Sequence, residues 1–236
     1  MKRLYLLGLV FAALMMVGCE HPHSSKTVTY PYQDFSSLEC NVPVRVTFSA
    51  KATEIVLMAE SQLLEDFVVD YSNEGTLLIS IENLISHTWN EQPWVILPFP
   101  SNLSSVKAYG MLDLDMDSVL VTDSLALDFS AAVNMPNWTV KANTLYIKSM
   151  SYGTSMHLAG EVDKVVLDMH SSLLDATALQ VNTYDCTLWN SQADINCAAA
   201  LNILLANNST INYSGSCEVY QNTENIWNST ITKINK

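Results

Sequence analysis

The sequence predicts an all-β protein of the parallel β-helix or β-solenoid class, with short rungs of about 20 residues. Three observations predict this fold. From residue 38 onward apolar residues recur with a period of two, and from about residue 104 similar segments recur along the chain. Neither Asn-Gly nor Asp-Gly, the strongest short signals of a tight hairpin turn, occurs anywhere in the 236 residues.

Alternating segments define the first predicted strands. The segments "NVPVRVTFSA", "TLLISIEN" and "MLDLDMDS" each place their apolar residues on one face of a strand, and β-branched residues are frequent throughout. No window of a dozen residues has the convincing 3.6-residue period of an amphipathic helix. The predicted buried faces consist of Val42, Val44, Val46 and Phe48, of Leu77, Ile79 and Ile81, and of Leu112, Leu114 and Met116.

Five similar segments follow, and they begin at Leu125, Leu145, Val165, Val181 and Leu201. Each opens with alternating apolar residues, continues into Ser, Ala, Gly or Asn, and then returns to apolar residues. Small residues suit the corners of a solenoid because its stacked rungs lie only about 4.8 Å apart. A β-sandwich of meander hairpins is the alternative fold, and the missing hairpin signals favour the solenoid.

The first 19 residues have the pattern of a lipoprotein signal peptide. Lys2 and Arg3 precede an apolar stretch at residues 4–17, which is too short to cross a bilayer comfortably, and Gly18 then precedes Cys19. This ending resembles the bacterial lipoprotein box, which implies cleavage before Cys19 and a membrane anchor of several acyl chains on that residue. An ordinary signal peptide with an incidental cysteine is the alternative.

The predicted organisation has four parts. Residues 1–18 form the signal peptide and residues 19–33 a lipidated tether. Residues 34–103 form an N-terminal β region and residues 104–236 the repetitive solenoid region, with one continuous domain over both as the alternative. We expect an outer-membrane lipoprotein of the cell envelope, and the sequence does not decide whether it faces the periplasm or the cell surface.

Charge excludes one class of partner. The chain has 24 acidic and 11 basic residues and a formal net charge of −13 at pH 7. Such a surface repels phosphate backbones, and the sequence contains no basic patch, so we expect no binding to nucleic acids.

Several segments together resemble a known family. A lipoprotein-box cysteine is followed by "FSSLECNVPVRVTFSA", "GTLLISIEN" and "VILPFPSNLSSVKAYGMLDLDM", and later rungs carry Ser130-Ala131-Ala132 and Ser214-Gly215-Ser216. Over residues 34 to 235 the chain is similar to the head GIN domain family of auto-transporter adhesins, which is common among Bacteroidetes lipoproteins. The resemblance implies a β-solenoid and an envelope location, and it supplies no catalytic residue.

Two features could form a ligand surface. Asp113, Asp115 and Asp117 make an outward acidic row on one strand; such a row could attract Ca²⁺, but the glycine-rich nonapeptides of calcium-binding solenoids are absent, so we expect a solvated face. Trp89 and Trp94 flank polar residues in the irregular segment "HTWNEQPW". Exposed tryptophans could stack on a sugar or a protein partner, and a loop that plugs the end of the solenoid is the alternative.

Cysteines and histidines do not indicate a metal or a cofactor. After lipidation of Cys19 four cysteines remain, which allow two disulfides or a set of buried free thiols. No Cys-x-x-Cys occurs, and the histidines do not have a metal-binding spacing. Cys197 and Cys217 are 20 residues apart, so they could stack on successive rungs. The four remaining cysteines are Cys40, Cys186, Cys197 and Cys217.

These observations predict a non-catalytic, envelope-anchored lipoprotein, an adhesin-like module whose solenoid surface binds a protein or a glycan. The alternative is a polysaccharide hydrolase on a β-solenoid scaffold, which would need two carboxyl groups facing each other across a groove. A structural module that assembles end to end is the third hypothesis.

Overall fold

The computed structural model describes residues 25–72, 75–83 and 91–234, and within these ranges the chain is almost entirely β-structure. The predicted signal peptide, Cys19 and Trp89 lie outside the described residues. In the described ranges no helix is both long and apolar enough to cross a bilayer.

The strands of the described residues are β1 (Ser25–Tyr30), β2 (Ser37–Cys40), β3 (Val44–Ser49), β4 (Ile55–Glu60), β5 (Phe67–Ser72), β6 (Thr76–Ile81), β7 (Trp94–Pro98), β8 (Ser105–Ala108), β9 (Leu112–Met116), β10 (Leu120–Val121), β11 (Ser124–Phe129), β12 (Val133–Ser149), β13 (Thr154–His170), β14 (Ser172–Trp189), β15 (Gln192–Asn207), β16 (Thr210–Ser214), β17 (Glu218–Gln221), β18 (Ile226–Trp227) and β19 (Thr230–Lys233). A 3₁₀ helix, Thr223–Asn225, separates β17 from β18.

Parallel pairing stacks these strands into a solenoid, as predicted. Face A consists of β6, β2, β8 and β11, the C-terminal parts of β12 to β15, and then β17 and β18. Face B consists of β7, β3 and β9, the N-terminal parts of β12 to β15, and then β16 and β19. Face C consists of β10 and the middle parts of β12 to β15, each of which runs round the corners through all three faces.

The register confirms a repeat of about 20 residues and corrects one predicted rung. Leu125 pairs with Leu145, and Leu145 pairs with Val165, as expected from the equal spacing of these segments. The next partner of Val165 is Tyr184, so the predicted rung start at Val181 is wrong. Val181 instead pairs with Val162 on face C and is buried there, so an alternating apolar segment of face C has the same pattern as the start of a rung.

The N-terminal end does not follow chain order, and antiparallel strands close it. β2 and β3 lie between β6–β7 on one side and β8–β9 on the other. β4 pairs antiparallel with β7, β5 with β6, and β1 with β4. Added antiparallel strands cover edges that would otherwise pair with other chains. The segment predicted as a tether therefore contains a strand, β1, whose side chains are nearly all exposed.

A continuous apolar core fills the solenoid from the capped end to the last rungs. The predicted alternation in β3 and β9 is confirmed, because their inward residues are buried and their outward residues are not. Phe48 contacts Trp138 edge to face, with ring centroids 6.1 Å apart, and Trp138 Nε1 donates to the carbonyl of Leu114 at 3.1 Å. The indole is thus buried with its polar atom satisfied.

The corner from face A to face B is built by an inward serine that follows a residue with positive φ. Asn190 has φ +48, and the hydroxyl of Ser191 donates to the carbonyl of Trp189 at 2.8 Å. Ser191 Oγ also accepts from the backbone N–H of Ser172 one rung earlier, at 3.2 Å. The same arrangement recurs at Ser209, so buried hydroxyls satisfy the backbone groups that the corner would otherwise leave unpaired.

Candidate functional site

Face B brings Trp94 and Asp113 onto one surface. Arg45 on β3 pairs with Trp94 on one side and with Asp113 on the other, so the three residues occupy consecutive positions across the sheet. The Arg45 guanidinium lies 5.9 Å from the centroid of the Trp94 ring, and Trp94 Nε1 donates to Thr47 Oγ1 at 3.0 Å. Trp94 is half-buried, and both of these contacts join it to β3, so they stabilise the pairing of two neighbouring strands.

The predicted acidic row points outward, and two of its carboxylates have partners on neighbouring rungs. Asp113 Oδ1 accepts from Asn134 Nδ2 at 3.2 Å. Asp117 accepts from Ser49 Oγ at 2.6 Å and from the backbone N–H of Ala50 at 2.8 Å, and these hydrogen bonds hold the pKa of Asp117 below its ordinary value.

The third carboxylate of the row, Asp115, accepts from the backbone N–H of Met116 at 2.9 Å. Across the described ranges, no group of three or more His, Cys, Asp or Glu side chains is placed to hold a metal ion.

The four cysteines in the described residues are buried free thiols. Burial raises the pKa of Cys40 and Cys186, and it raises the pKa of Cys197 to about 12. Cys197 and Cys217 lie on successive rungs, where the backbone N–H of Cys217 donates to the carbonyl of Cys197 at 3.3 Å. Cys40, Cys186 and Cys197 are therefore poor nucleophiles, and all four buried thiols pack as small apolar groups.

One groove follows the corner between faces C and A across several rungs, with a volume of about 500 Å³. Its polar groups are largely paired with each other. Lys141 lies 3.5 Å from Glu161, and Asn182 Nδ2 donates to Asp163 Oδ1 at 2.7 Å.

A smaller cavity of about 260 Å³ lies at the corner between faces B and C. Here His157 Nδ1 lies 3.4 Å from Asp175 Oδ2, and both the hydroxyl and the backbone N–H of Thr177 donate to Asp175. Partial burial raises the pKa of Asp175, but the hydrogen bonds from Thr177 and the neighbouring His157 outweigh it, so the pKa is lowered.

The third cavity, about 630 Å³ in volume, lies on the outer side of face A at the C-terminal end of the solenoid. We call it the terminal-rung pocket. It is lined by Asp185, Asn202, Ile203, Leu204, Val219, Tyr220, Gln221, Asn222 and Asn225.

A bulge in β15 forms one wall of the terminal-rung pocket. Ile203 pairs with Cys186, but the next pair joins Leu205 to Thr187, so Leu204 is an extra residue without a position in the ladder. Its side chain is 55% exposed. Bulges redirect side chains out of a sheet, and here the bulge directs an apolar side chain to the rim of the pocket.

An insertion in the last rung forms the opposite wall. Ile203 pairs with Gln221 and Ala206 pairs with Ile226, so the two residues between Ile203 and Ala206 on β15 face the four residues 222–225. These residues include the 3₁₀ helix. Sequence reasoning missed this pocket, and its only signal was that the spacing between paired residues widens from 18 to 20 within one rung.

The floor of the pocket contains a carboxylate that is already ionised and paired. Asp185 Oδ2 lies 2.7 Å from Lys164 Nζ, and Asp185 Oδ1 accepts from Asn202 Nδ2 at 2.7 Å. Partial burial raises the pKa of Asp185, but these two donors outweigh it, and the pKa lies below its ordinary value. The floor therefore consists of a carboxylate that is balanced by Lys164 and of an amide group that this carboxylate fixes in place.

Comparison with solved structures finds the same fold in proteins of low sequence identity. A "putative adhesin" from Bacteroides fragilis is 16% identical, with a TM-score of 0.74 over 89% of this chain and 97% of that one. A "putative lipid binding protein" from Parabacteroides distasonis is 12% identical, with a TM-score of 0.66 over 91% of this chain and 98% of that one. A "putative adhesin" from Parabacteroides merdae is 16% identical, with a TM-score of 0.61 over the same shares of the two chains.

Among curated proteins none matches this chain. The model of one family, described as "putative auto-transporter adhesin, head GIN domain", matches residues 34–217, which span the solenoid from just before β2 to just before β17. This match covers most of the 236 residues, and the family is the same one that the segments of the sequence resemble. The chain therefore belongs to the head GIN domain family of auto-transporter adhesins.

Proposed function

We propose that this protein is a non-catalytic, adhesin-like binding module that is anchored in the cell envelope through a lipid on Cys19. The observation that carries the proposal is the family match over residues 34–217, a region whose described strands all belong to one sheet. Solenoids present extended surfaces whose side chains repeat from rung to rung, and repeat proteins use such surfaces for binding.

The position of the capped end supports an anchor at Cys19. Cys19 precedes Ser25, the first residue of β1, by six residues, which span at most about 20 Å when fully extended. β1 is the outermost strand of the capped end. An anchor at Cys19 would hold this end next to the membrane, and the rungs would stack away from it toward the terminal-rung pocket.

The carboxylates at two cavities support binding rather than hydrolysis. A glycoside hydrolase needs one carboxyl group that stays protonated so that it can act as the general acid. The pKa of Asp175 and that of Asp185 are both lowered, because hydrogen bonds and the neighbouring His157 and Lys164 favour the ionised carboxylate. Neither carboxyl group is therefore suited to act as the general acid of a hydrolase.

The anchor is tested by expressing the full chain and its Cys19→Ser variant in a bacterium with a lipoprotein pathway. We expect the wild-type chain to incorporate a labelled fatty acid and to fractionate with membranes, and the variant to lose both properties. A variant that still takes up the label and fractionates with membranes would contradict the anchor. Protease treatment of intact cells then separates a surface location from a periplasmic one.

The binding role is tested with purified protein that begins at residue 25. We expect it to bind at least one member of a panel of envelope and host glycans and proteins. We also expect it to release no reducing sugar from a broad set of polysaccharides. Turnover of any polysaccharide without stable binding to the panel would favour the hydrolase alternative.

A further inference from the structure

We propose that the terminal-rung pocket binds a short, uncharged oligosaccharide, with the ring of Tyr220 as the stacking surface. This inference rests on the proposed function as a binding module and names its site and its class of ligand. The polar partners of the sugar would be the side-chain amides at the floor and the inserted wall, namely Asn202, Gln221, Asn222 and Asn225.

The pocket exists only because two successive rungs depart from the regular solenoid. On face A the outward residues Tyr146, Val166, Asp185, Asn202 and Tyr220 follow one another in register, which makes an open sheet surface. Beside Asn202 and Tyr220, the last two residues of this row, the bulge in β15 and the insertion in the last rung form the walls of the pocket. The core does not need these departures, because the extra residues point outward.

The aromatic and apolar groups suit the C–H face of a sugar. Tyr220 is 53% exposed, and its hydroxyl donates to the carboxylate of Glu218, which fixes the position of the phenol. Leu204 is 55% exposed at the same pocket. A pyranose ring has an apolar face that packs on such groups, while its edge carries hydroxyls that need polar partners.

The amides are held in place by contacts that use only one half of each group. Asn222 Oδ1 accepts from the backbone N–H of Glu224 at 3.1 Å, which leaves its NH₂ group to donate. Asn225 Nδ2 donates to the carbonyl of Leu204 at 3.1 Å, and Asn202 Nδ2 donates to Asp185. The oxygens of these two amides can accept, so the pocket offers both donors and acceptors, as a hydroxyl-rich ligand requires.

Charge and size narrow the ligand further. The charge of Asp185 at the floor is balanced by Lys164, whereas Glu218 beside the pocket and the formal charge of −13 on the whole chain disfavour acidic glycans and phosphates. A volume of about 630 Å³ lies within the range of small-molecule sites, which extends from roughly 300 to 1,000 Å³. A few sugar units fit this space, whereas a folded protein partner does not.

The test titrates ¹⁵N-labelled protein with neutral hexasaccharides of glucose, mannose and N-acetylglucosamine, and with acidic oligogalacturonate as the charged probe. We expect at least one neutral probe to bind and to shift the side-chain amide signals of Asn202, Asn222 and Asn225. Tyr220→Ala should weaken that binding at least about tenfold, which corresponds to about 1.4 kcal/mol, because it removes the surface on which the sugar stacks.

The matched control is Tyr146→Ala, because Tyr146 is 48% exposed and lies in the same row of face A, four rungs away from Tyr220. We expect this variant to bind as the wild type does. Binding that survives Tyr220→Ala, or that falls equally in both variants, would place the ligand elsewhere and leave the binding module intact. A preference for oligogalacturonate, or no binding of any neutral probe at millimolar concentration, would overturn the proposal.

Discussion

Single residues show how this acidic chain stabilises its outward carboxylates with few basic residues. Asn182 donates to Asp163 and Asn202 to Asp185, each at 2.7 Å and from the next rung. Asn212 Nδ2 donates to Asp194 Oδ1 at the same distance. Amide donors can stack between rungs without adding charge, so asparagine takes the place that lysine or arginine would have in a more basic protein.

The hydrogen bonds of Asp117 lead to a prediction about how the stability of the protein depends on pH. Hydrogen bonds from Ser49 and Ala50 lower its pKa below the ordinary value of 3.8, so the folded state holds this carboxylate ionised more strongly than the unfolded state does. A lowered pKa contributes stability that is present above the unfolded value and is lost as the pH falls through the folded value. Asp117→Asn should therefore be less stable than the wild type at pH 7, with the difference shrinking below about pH 4.

The measurement is urea unfolding of both proteins between pH 2.5 and pH 7. Asp70→Asn is a suitable control, because Asp70 is exposed on β5 and lies opposite Leu78 rather than a charged residue. We expect Asp70→Asn to show a smaller difference from the wild type than Asp117→Asn. A difference for Asp117→Asn that stays constant across this pH range would show that the hydrogen bonds do not stabilise the ionised form.

At the scale of elements, charge alternates along the outer side of face A and supports one register. Lys107 pairs with Glu39 on one side and with Asp128 on the other, and Lys148 then pairs with Asp128 and Asp168. Opposite charges on neighbouring strands attract, and like charges on neighbouring strands repel. If the stacking skipped one rung, Lys107 would lie beside Lys148, or Asp128 beside Asp168. This row of charges therefore favours the observed stacking.

Two glycines with positive φ lead to a second prediction. Gly160 has φ +115, and a Cβ there would lie 2.0 Å from the carbonyl oxygen of Val140 in the neighbouring rung. Gly153 also has positive φ, +84, but its Cβ would meet only the Ala132 side chain, at 3.7 Å. Gly160→Ala should destabilise the protein by about 3 kcal/mol or more, because backbone strain and a steric clash add together.

Gly153→Ala is the matched control, and it should cost only about 1–2 kcal/mol, from backbone strain alone. Thermal and urea unfolding followed by circular dichroism measure both variants. Equal losses of stability would mean that the rungs can separate at Gly160 without a penalty, and the close stacking at that corner would be contradicted.

At the scale of the whole molecule, stability should differ between the middle and the C-terminal end. Rungs contact only their neighbours, so the stability of a solenoid is close to a sum over rungs and interfaces. β13 and β14 are covered by parallel strands on both sides, whereas nearly all side chains of β17 to β19 are exposed or half-buried. The last rung should therefore open more readily than the middle of the stack.

Hydrogen exchange followed by mass spectrometry tests this expectation on the full chain. Amides of β13 and β14 should exchange at least about tenfold more slowly than those of β17 to β19. Uniform protection would show that the whole solenoid opens as one cooperative unit. If the terminal-rung pocket binds its ligand, a saturating ligand should slow exchange in residues 218–227 more than in β13.

The sequence alone determined the fold class, the family and the inward faces of the early strands. Period-two alternation and small corner residues are local properties that can be observed along the chain, and Val44, Val46 and Phe48 are buried as they predict. The outward direction of Asp113, Asp115 and Asp117 follows from the same alternation. The lipid anchor at Cys19 and the ligand surface around Trp89 and Trp94 stay predictions.

Only the tertiary structure decided which strands are neighbours. The placement of β2 and β3 between later strands, the pairing of Tyr184 with Val165 and the walls of the terminal-rung pocket all depend on how many residues each face and each corner contains. That number varies from rung to rung, and a one-residue change shifts every later pairing while the local alternation stays the same. The site proposed here arises from two such changes, in β15 and in the last rung, and it could be found only once the rungs were stacked.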